Sequence, residues 1–229
     1  MHRYAIYYAP PRAHPLWRAG CAILGHDPET GEAIDQPRLD GFEPARVTAM
    51  TAEARRYGWH ATLKSPFALA DGTSRAELEA ELARFASDRE AFAIPALRLA
   101  CFSGYTVLVP AEPVAALDAL AADCVRVFDR FRAPPSEEEL ARRRRRGLTS
   151  EEEENLQRWG YPRVMRLFEF HMTLTEKLGA EEHARAVAAL SGLLREALAA
   201  PLPVDGITLY GEAEKDGPFA LLARYRFGR

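Results

Sequence analysis

Trp59-His60-Ala61-Thr62-Leu63 and Phe170-His171-Met172-Thr173-Leu174 are two copies of one short pattern: an aromatic residue, His-x-Thr, then Leu. Side chains on a β-strand alternate between its two faces, so His and Thr share one face in each copy and the apolar residues share the other. Such a strand packs its apolar face under helices and leaves its polar face at a cleft. We therefore expect both copies to lie on strands that line a cleft in a two-lobed α/β protein.

The segments around the two copies repeat one order of predicted elements: strand, helix, strand, strand. In the first half these are a strand at about 59–66, a helix capped by Ser74 and Glu77, and strands at about 97–102 and 105–109. In the second half they are a strand at about 164–175, a helix at about 181–198, and strands at about 204–210 and 219–227. A further strand is predicted at 4–9 and a further helix from Pro113. The repeat indicates an internal duplication within a single domain over residues 1–229.

A charged segment at about 134–161 lies between the two repeats. Ser136 and Thr149 are probable helix caps in composition and spacing, so we predict an inserted, mobile helical hairpin, with a lid as one hypothesis for its role. Five consecutive arginines at 142–146 lie between two runs of glutamate. We favour mutual compensation of these charges over a polyanion-binding patch.

Composition excludes several classes of protein. The formal net charge of −3 argues against a protein that binds long nucleic acid, which normally needs a basic face. Cys21, Cys101 and Cys124 form no C-x-x-C pair, so we expect reduced thiols and a cytoplasmic location. No apolar run is long enough to cross a membrane, and no obligate protein partner is evident.

Paired histidines and threonines suit the cleavage of a phosphate ester. Imidazole has an unperturbed pKa of about 6.5, so one histidine can accept a proton from the attacking oxygen while the other donates one to the leaving oxygen. Two hydroxyls beside them can donate to the non-bridging phosphoryl oxygens. We predict His60, Thr62, His171 and Thr173 to be catalytic, with no metal and no cofactor, because neither motif lies among residues with metal-ligand spacing.

On these residues the chain resembles the two-histidine (2H) phosphoesterase superfamily, which includes bacterial and archaeal RNA ligase/cyclic phosphodiesterase proteins and plant cyclic phosphodiesterases. It is most similar to the branch named for phosphonate metabolism and found beside carbon–phosphorus lyase genes. The resemblance implies a 2H-phosphoesterase-like fold: two pseudo-symmetric lobes of antiparallel sheet, with outer helices, around a central cleft. The matching stretches, which cover nearly the whole chain, are Arg3-Tyr4-Ala5-Ile6-Tyr7, Arg56 to Lys64, Gly147-Leu148-Thr149, Trp159-Gly160-Tyr161-Pro162, and Phe170 to Thr175.

Residues near the motifs are candidates for binding the substrate. Lys64 shares a strand face with His60 in a regular strand, so it either holds a second phosphate or ends the strand in solvent. Arg56 and Tyr57 precede the first motif and can cover the mouth of the cleft. The cations that flank the second motif are predicted to be surface charges: Arg163, Arg166 and Lys177.

The leading hypothesis is a metal-independent phosphoesterase that hydrolyses a small cyclic phosphate or phosphodiester. The resemblance suggests a ribose cyclic phosphate from phosphonate breakdown. One alternative is an RNA 2′,3′-cyclic phosphodiesterase or ligase-like enzyme, which the negative charge disfavours. Another is a non-catalytic protein that binds phosphate esters, which would favour permanently charged arginine over titratable groups. The expected partner is therefore a small phosphorylated substrate, with RNA second.

Overall fold

The computed structural model describes residues 1–145 and 147–228, so Arg146, the last arginine of the run at 142–146, lies outside the described residues. The strands are β1 Arg3–Tyr8, β2 Ala61–Phe67, β3 Phe92–Ile94, β4 Leu97–Phe102, β5 Tyr105–Pro110, β6 Met172–Lys177, β7 Leu202–Val204, β8 Gly206–Glu212 and β9 Phe219–Arg226. The α-helices are α1 Pro15–Leu24, α2 Pro44–Met50, α3 Ala52–Tyr57, α4 Arg75–Ser87, α5 Ala115–Phe128, α6 Glu137–Arg144, α7 Ser150–Trp159 and α8 Ala180–Leu194. Within these residues no helix is long and apolar enough to cross a bilayer.

The strands form an antiparallel sheet with the two His-x-Thr strands at its centre. Across the described residues its order is β4-β5-β6-β2-β1-β8-β9, and β3 pairs separately with β7. β2 and β6 are joined at the register pair Ala61–Met172, and the sheet divides there into two lobes. The fold is therefore a bilobal α/β fold of antiparallel sheet with helices outside, as predicted.

Each lobe combines strands from both halves of the chain. β4 and β5 follow the first His-x-Thr strand in sequence, yet β5 pairs with β6, which carries the second motif. β8 and β9 follow β6 in sequence, yet β8 pairs with β1, the neighbour of β2. The helices exchange in the same way, because α4 packs on β8 and β9 while α8 packs on β4 and β5. The repeat in the sequence thus produces two interleaved lobes.

The apolar faces of the central strands lie in the core. Ala61 and Leu63 of β2 and Met172 and Leu174 of β6 are buried. Helix α5 packs against β2, and α3 packs against β6. Burial of an aliphatic side chain of this size stabilises the fold by roughly 1.5 to 3 kcal/mol. The alternation of buried and half-buried residues confirms the two faces that the motif predicts.

Three predicted helix starts are confirmed. Ser74 and Glu77 form a capping box at the start of α4, and Thr149 and Glu152 form one at the start of α7. The Ser136 hydroxyl accepts the Glu139 amide at the start of α6. Each cap satisfies a backbone N–H that the helix leaves unpaired and contributes about 1 kcal/mol. The charged segment predicted to be a helical hairpin therefore holds two capped helices.

Carboxylates of α6 and α7 pair with arginines of the run. Nη2 of Arg143 lies 2.6 Å from Glu139, and Nη2 of Arg144 lies 2.6 Å from Glu153. Arg142 lies 4.0 Å from Glu139. Exposed pairs of this kind contribute little to stability, about 0.2 to 1 kcal/mol, but they neutralise the charge. These contacts support mutual compensation over a polyanion-binding patch.

The structure differs from the predicted elements in several regions, among them the short strands β3 and β7, which were not predicted. Helices α1 to α3 occupy a region for which no helix was predicted. His14 is the N-cap of α1, because its Nδ1 accepts a hydrogen bond from the backbone N–H of Leu16. The strand predicted at about 164–175 begins only at Met172, because a 3-10 helix at Met165–Leu167 precedes it. Met165 has a φ of +55°, which is incompatible with extended pairing.

Candidate active site

The residues before His60 fix its position. Gly58 has a φ of +75°, which favours glycine, and its carbonyl accepts a 2.8 Å hydrogen bond from Nδ1 of His60. Trp59 is fully buried and donates through Nε1 to the Leu16 carbonyl at 3.0 Å. Its indole lies where a side chain on Gly20 would clash, since a Cβ there would meet the ring at 2.2 Å. His60 therefore projects from an anchored backbone.

His171 is held in the same way. Its Nδ1 donates to the carbonyl of Glu169 at 2.8 Å, so in both motifs the acceptor is the carbonyl two residues before the histidine. Each imidazole also stacks on an aromatic ring from another strand. The ring centroids are 3.8 Å apart for His60 on Tyr7 of β1, and 4.6 Å apart for His171 on Phe102 of β4. Both histidines are thus fixed by a backbone bond and an aromatic contact.

The carbonyl partners select the tautomer of both imidazoles. A carbonyl oxygen can only accept a hydrogen bond, so Nδ1 carries the hydrogen and Nε2 of the neutral ring presents a lone pair. Nε2 of His60 lies 3.3 Å from Oγ1 of Thr62, whose hydroxyl can donate to it. In both motifs Nε2 is therefore the nitrogen that can exchange a proton with a substrate.

The pairing of β2 with β6 brings the two motifs together. Because Ala61 is the antiparallel partner of Met172, one step along each strand places His60 opposite Thr173. One step in the other direction places Thr62 opposite His171. Side chains opposite one another in such a pair have Cβ atoms about 4.5 to 5.5 Å apart. The structure thus gathers the four residues predicted to be catalytic on one side of the sheet centre.

Burial lowers the pKa of both imidazoles. The pKa of His60 falls to about 4, chiefly because burial disfavours the imidazolium, while the bond to the Gly58 carbonyl opposes this and the charge of His171 adds to it. Burial also lowers the pKa of His171, against the raising effect of Glu169. Both rings are therefore neutral at pH 7 in the free protein.

Lys64 does not share the cleft face with His60, and that prediction is wrong. The register of β1 against β2 shifts between Thr62 and Lys64, which interrupts the alternation of side chains. Nζ of Lys64 lies 3.1 Å from Oδ1 of Asp129 and 3.3 Å from the Val125 carbonyl, and the side chain is buried. The alternative, a strand end in solvent, is wrong for the same reason. The ammonium group stabilises the packing of β2 against α5.

Arg56, predicted to bind substrate, is engaged within the protein. Its Nη2 lies 2.7 Å from Oε1 of Glu212, and its Nε donates to the Gly217 carbonyl at 3.1 Å. Glu212 is fully buried and is also bound by Arg3, at 2.5 and 2.8 Å. Burial raises the pKa of Glu212, but the two guanidinium groups outweigh it and the pKa is lowered. Arg56 therefore stabilises the packing around the buried carboxylate of Glu212.

Tyr57 lies on the His60 side of the cleft. Its ring centroid is 6.4 Å from that of His60 and 5.4 Å from that of Phe219, on which it stacks. The guanidinium carbon of Arg56 lies 5.1 Å from the Tyr57 ring. The side chain is half-buried. A role for Tyr57 in binding substrate stays a prediction.

Arg163, predicted to be a surface charge, lies beside the second motif. Its guanidinium carbon is 5.5 Å from the ring of Phe102, the ring that stacks on His171. Its positive charge contributes to lowering the pKa of His171. No periodicity in the sequence identifies this residue, because a 3-10 helix rather than a strand connects it to His171.

Neither a group of metal-ligating side chains nor the cavity described below marks the His-Thr cluster in the part of the chain that the structure describes. Across residues 1–145 and 147–228, no group of three or more His, Cys, Asp or Glu side chains is arranged to hold a metal ion. A cavity of about 440 Å³ lies between the loop at 34–44 and α2, and neither histidine lines it. Two polar side chains on its wall already bond to backbone carbonyls, Gln36 to Ile23 and Arg55 to Leu24. The candidate site is therefore defined by the arrangement of the two motifs.

Comparison with known proteins identifies relatives over the whole chain. A family described as "Protein of unknown function (DUF1045)" matches residues 62–220. The chain is 35% identical over 241 residues to a protein of Janthinobacterium sp. (strain Marseille) named "Ribose 1,5-bisphosphate phosphokinase PhnN", covering 99% of this chain and 51% of that protein. It is 35% identical over 223 residues to the protein of the same name from Laribacter hongkongensis (strain HLHK9), covering 96% and 50%. The chain thus spans about half the length of these curated relatives.

Two solved structures are similar over their full length. One is described as "Crystal structure of phosphoesterase", with a TM-score of 0.43 and 14% identity, covering 100% of this chain and 99% of that one. The other is described as "Crystal structure of E.coli LigT complexed with 3'-AMP", with a TM-score of 0.39, 14% identity and the same coverage.

Proposed function

We propose that this chain, which belongs to the DUF1045 family, hydrolyses a small cyclic phosphate or phosphodiester by metal-independent acid–base catalysis. One observation carries the proposal: the register of β2 against β6 sets two His-Thr pairs face to face, with each Nδ1 bound to a carbonyl. Binding alone does not need two titratable groups in the same fixed tautomer, and arginine would hold a phosphate better. The arrangement therefore supports catalysis over the binding of phosphate esters.

The proposed reaction uses one histidine as base and the other as acid. Nε2 of the neutral ring takes a proton from water as the water oxygen attacks phosphorus. The imidazolium of the other ring donates its Nε2 proton to the departing ester oxygen, so a P–O bond forms as another breaks and a phosphomonoester and an alcohol result. Thr62 and Thr173 donate to the non-bridging oxygens, where negative charge accumulates. Afterwards the two rings exchange one proton through solvent.

The lowered pKa values indicate how substrate binding produces one neutral imidazole and one imidazolium. The free protein at neutral pH holds two neutral imidazoles, so it supplies the base but little of the acid. A bound phosphate carries negative charge, which favours a neighbouring imidazolium and raises its pKa. Substrate binding therefore promotes protonation of the acid. Which histidine takes each role depends on the direction of the scissile bond.

The proposed substrate class is a phosphorylated ribose. The curated relatives are named for a kinase of ribose 1,5-bisphosphate, and the chain matches about half of each. The chain contains no G-x-x-x-x-G-K-[ST] motif, with which P-loop kinases hold their nucleotide. We therefore take from the name only the sugar phosphate, and assign to this chain a ribose cyclic phosphate as the ester that is opened.

A panel of esters tests the proposal. Purified protein treated with EDTA is incubated with a ribose cyclic phosphate, a nucleoside 2′,3′-cyclic phosphate and a linear phosphodiester, and the released monoester is quantified. We expect hydrolysis of the ribose cyclic phosphate, unchanged by the chelator and absent in a folded variant that carries His60→Ala and His171→Ala. Hydrolysis that needs added zinc or manganese, or that persists in the double variant, would rule the mechanism out. Faster hydrolysis of the nucleoside ester would favour the RNA-end alternative.

A further inference from the structure

We infer that Arg163 binds a second anionic group of the substrate, a phosphomonoester remote from the reacting phosphorus. The inference rests on the function proposed for the same site and extends it to a bisphosphorylated substrate. Arg163 is exposed, as expected of a surface charge, and the inference gives that charge a role.

Arg163 contacts the residues that hold His171. Its guanidinium carbon lies 5.5 Å from the ring of Phe102, which stacks on the imidazole. Its Nη1 lies 3.6 Å from the carboxylate of Glu169, the residue whose carbonyl accepts Nδ1 of His171. These contacts place the guanidinium beside Phe102 and Glu169, the two residues that hold His171. Because Arg163 contacts these neighbours of the imidazole, it suits a group of the substrate other than the phosphorus that reacts at Nε2.

Three cations near the first motif are held by short bonds to carboxylates. Arg3 lies 2.5 Å and Arg56 lies 2.7 Å from Glu212, a fully buried carboxylate. Lys64 lies 3.1 Å from Asp129 and is 3% exposed. Each of these charges is committed to stabilising the fold, since Arg3 and Arg56 together neutralise the buried Glu212 and Lys64 is itself buried beside Asp129. None of the three suits a role in which substrate replaces the protein partner.

Among residues 1–145 and 147–228, the ion-pair partners of Arg163 are loose. Its ion pairs with Glu152 and Glu169 are 3.4 and 3.6 Å long, and its side chain is 46% exposed. Charge-assisted bonds from guanidinium to an oxyanion are shorter, about 2.7 to 2.9 Å, so these two pairs leave room for a stronger acceptor. A phosphomonoester offers three oxygens that match the planar fork of guanidinium. Exchange of the two carboxylates for such a group would therefore be favourable.

A pair of arginine variants separates this role from a general effect of charge. Arg166 is the matched control, because it also pairs with a glutamate of α7, Glu151, but is 79% exposed. Binding of ribose 5-phosphate to wild type, Arg163→Gln and Arg166→Gln is measured by calorimetry. We expect Arg163→Gln to weaken binding about 10- to 100-fold, the loss typical of a charged hydrogen bond, and Arg166→Gln to bind like wild type.

Kinetics provide the second measurement. For a ribose cyclic phosphate that carries a 5-phosphate, Arg163→Gln should raise KM by the same factor with kcat nearly unchanged, and Arg163→Lys should recover part of it. For the ester without the 5-phosphate, Arg166→Gln should match wild type, and Arg163→Gln should change KM far less than it does for the ester that carries the 5-phosphate. The inference would be overturned if wild type and Arg163→Gln bound ribose 5-phosphate equally well, or if neither bound it. If no ester is hydrolysed but the binding difference stands, the proposed function fails while Arg163 keeps its role.

Discussion

The hydrogen bonds at Nδ1 decide what His60 and His171 can do as individual residues. A carbonyl acceptor fixes the neutral tautomer and leaves Nε2 as the basic nitrogen in both rings. The aromatic rings stacked on them limit rotation and remove water, which lowers the pKa of each imidazole. Orientation and acidity therefore follow from neighbours that belong to other strands.

Loss of either imidazole should reduce turnover without unfolding the protein. We expect His60→Ala and His171→Ala each to lower kcat about 100- to 10,000-fold, because each removes one proton-transfer partner. Thr62→Val and Thr173→Val should cost no more than about 100-fold, since each removes one hydrogen-bond donor. Steady-state kinetics with circular dichroism as the folding control measures these effects. A threonine variant slower than its neighbouring histidine variant would contradict the assigned roles.

The pH dependence should reflect the lowered pKa values. Unperturbed histidines predict limbs that bracket neutral pH, but burial moves both pKa values below 6.5, that of His60 to about 4. The profile of kcat/KM, which reports the free protein, should therefore be bell-shaped with its maximum on the acid side of neutral. Bound phosphate raises the pKa of the acid, so the kcat profile should peak at higher pH. If the kcat/KM and kcat profiles both peaked at the same pH, at or above 7, the lowered pKa values of the two histidines would be contradicted.

At the scale of elements, the packing of β2 against α5 gives Lys64 its role. Strand periodicity predicts a cleft-facing cation, but the register shift turns the side chain toward the end of the helix. The two helices of the charged segment were predictable, because their caps at Ser136 and Thr149 are local features of the sequence. Local elements are thus predictable where caps and periodicity decide them, and not where a bulge does.

Replacement of Lys64 by methionine should affect stability and not substrate binding. We expect Lys64→Met to lower the free energy of unfolding by about 1 to 3 kcal/mol, because it removes a charged hydrogen bond; Asp129 keeps its partner Arg132. Urea denaturation measures the change, with Lys177→Met at the exposed end of β6 as the control. A rise in KM of tenfold or more with an unchanged free energy of unfolding would show that Lys64 binds substrate.

At the scale of the whole molecule, the exchange of hairpins makes the two halves of the chain interdependent. The hairpin of β4 and β5 completes the lobe of β6, and the hairpin of β8 and β9 completes the lobe of β1 and β2. An isolated half would expose the edge of an unpaired strand and the apolar face that the other half's helix covers. The site itself lies at the junction, at the pair Ala61–Met172.

Fragments cut between the two helices of the charged segment should show this dependence. We expect residues 1–147 and 148–229, expressed separately, to lack a cooperative unfolding transition, because each lacks strands that its own strands pair with. Expressed together, they should form a complex with native circular dichroism and activity. A fragment that unfolds cooperatively by itself would show that the lobes are independent.

The amino-acid sequence alone identified the candidate site residues of this protein and many of its local elements. His-x-Thr occurs twice with the same flanking residues, and alternation along a strand suffices to place His and Thr on one face. The helix caps and apolar stripes likewise depend on residues a few positions apart. The tertiary structure alone decided which hairpin joins which motif, where Lys64 points and that Arg163 lies beside Phe102. The physical reason is that strand pairing, register shifts and desolvation arise from contacts between residues distant in the chain, which no local pattern records.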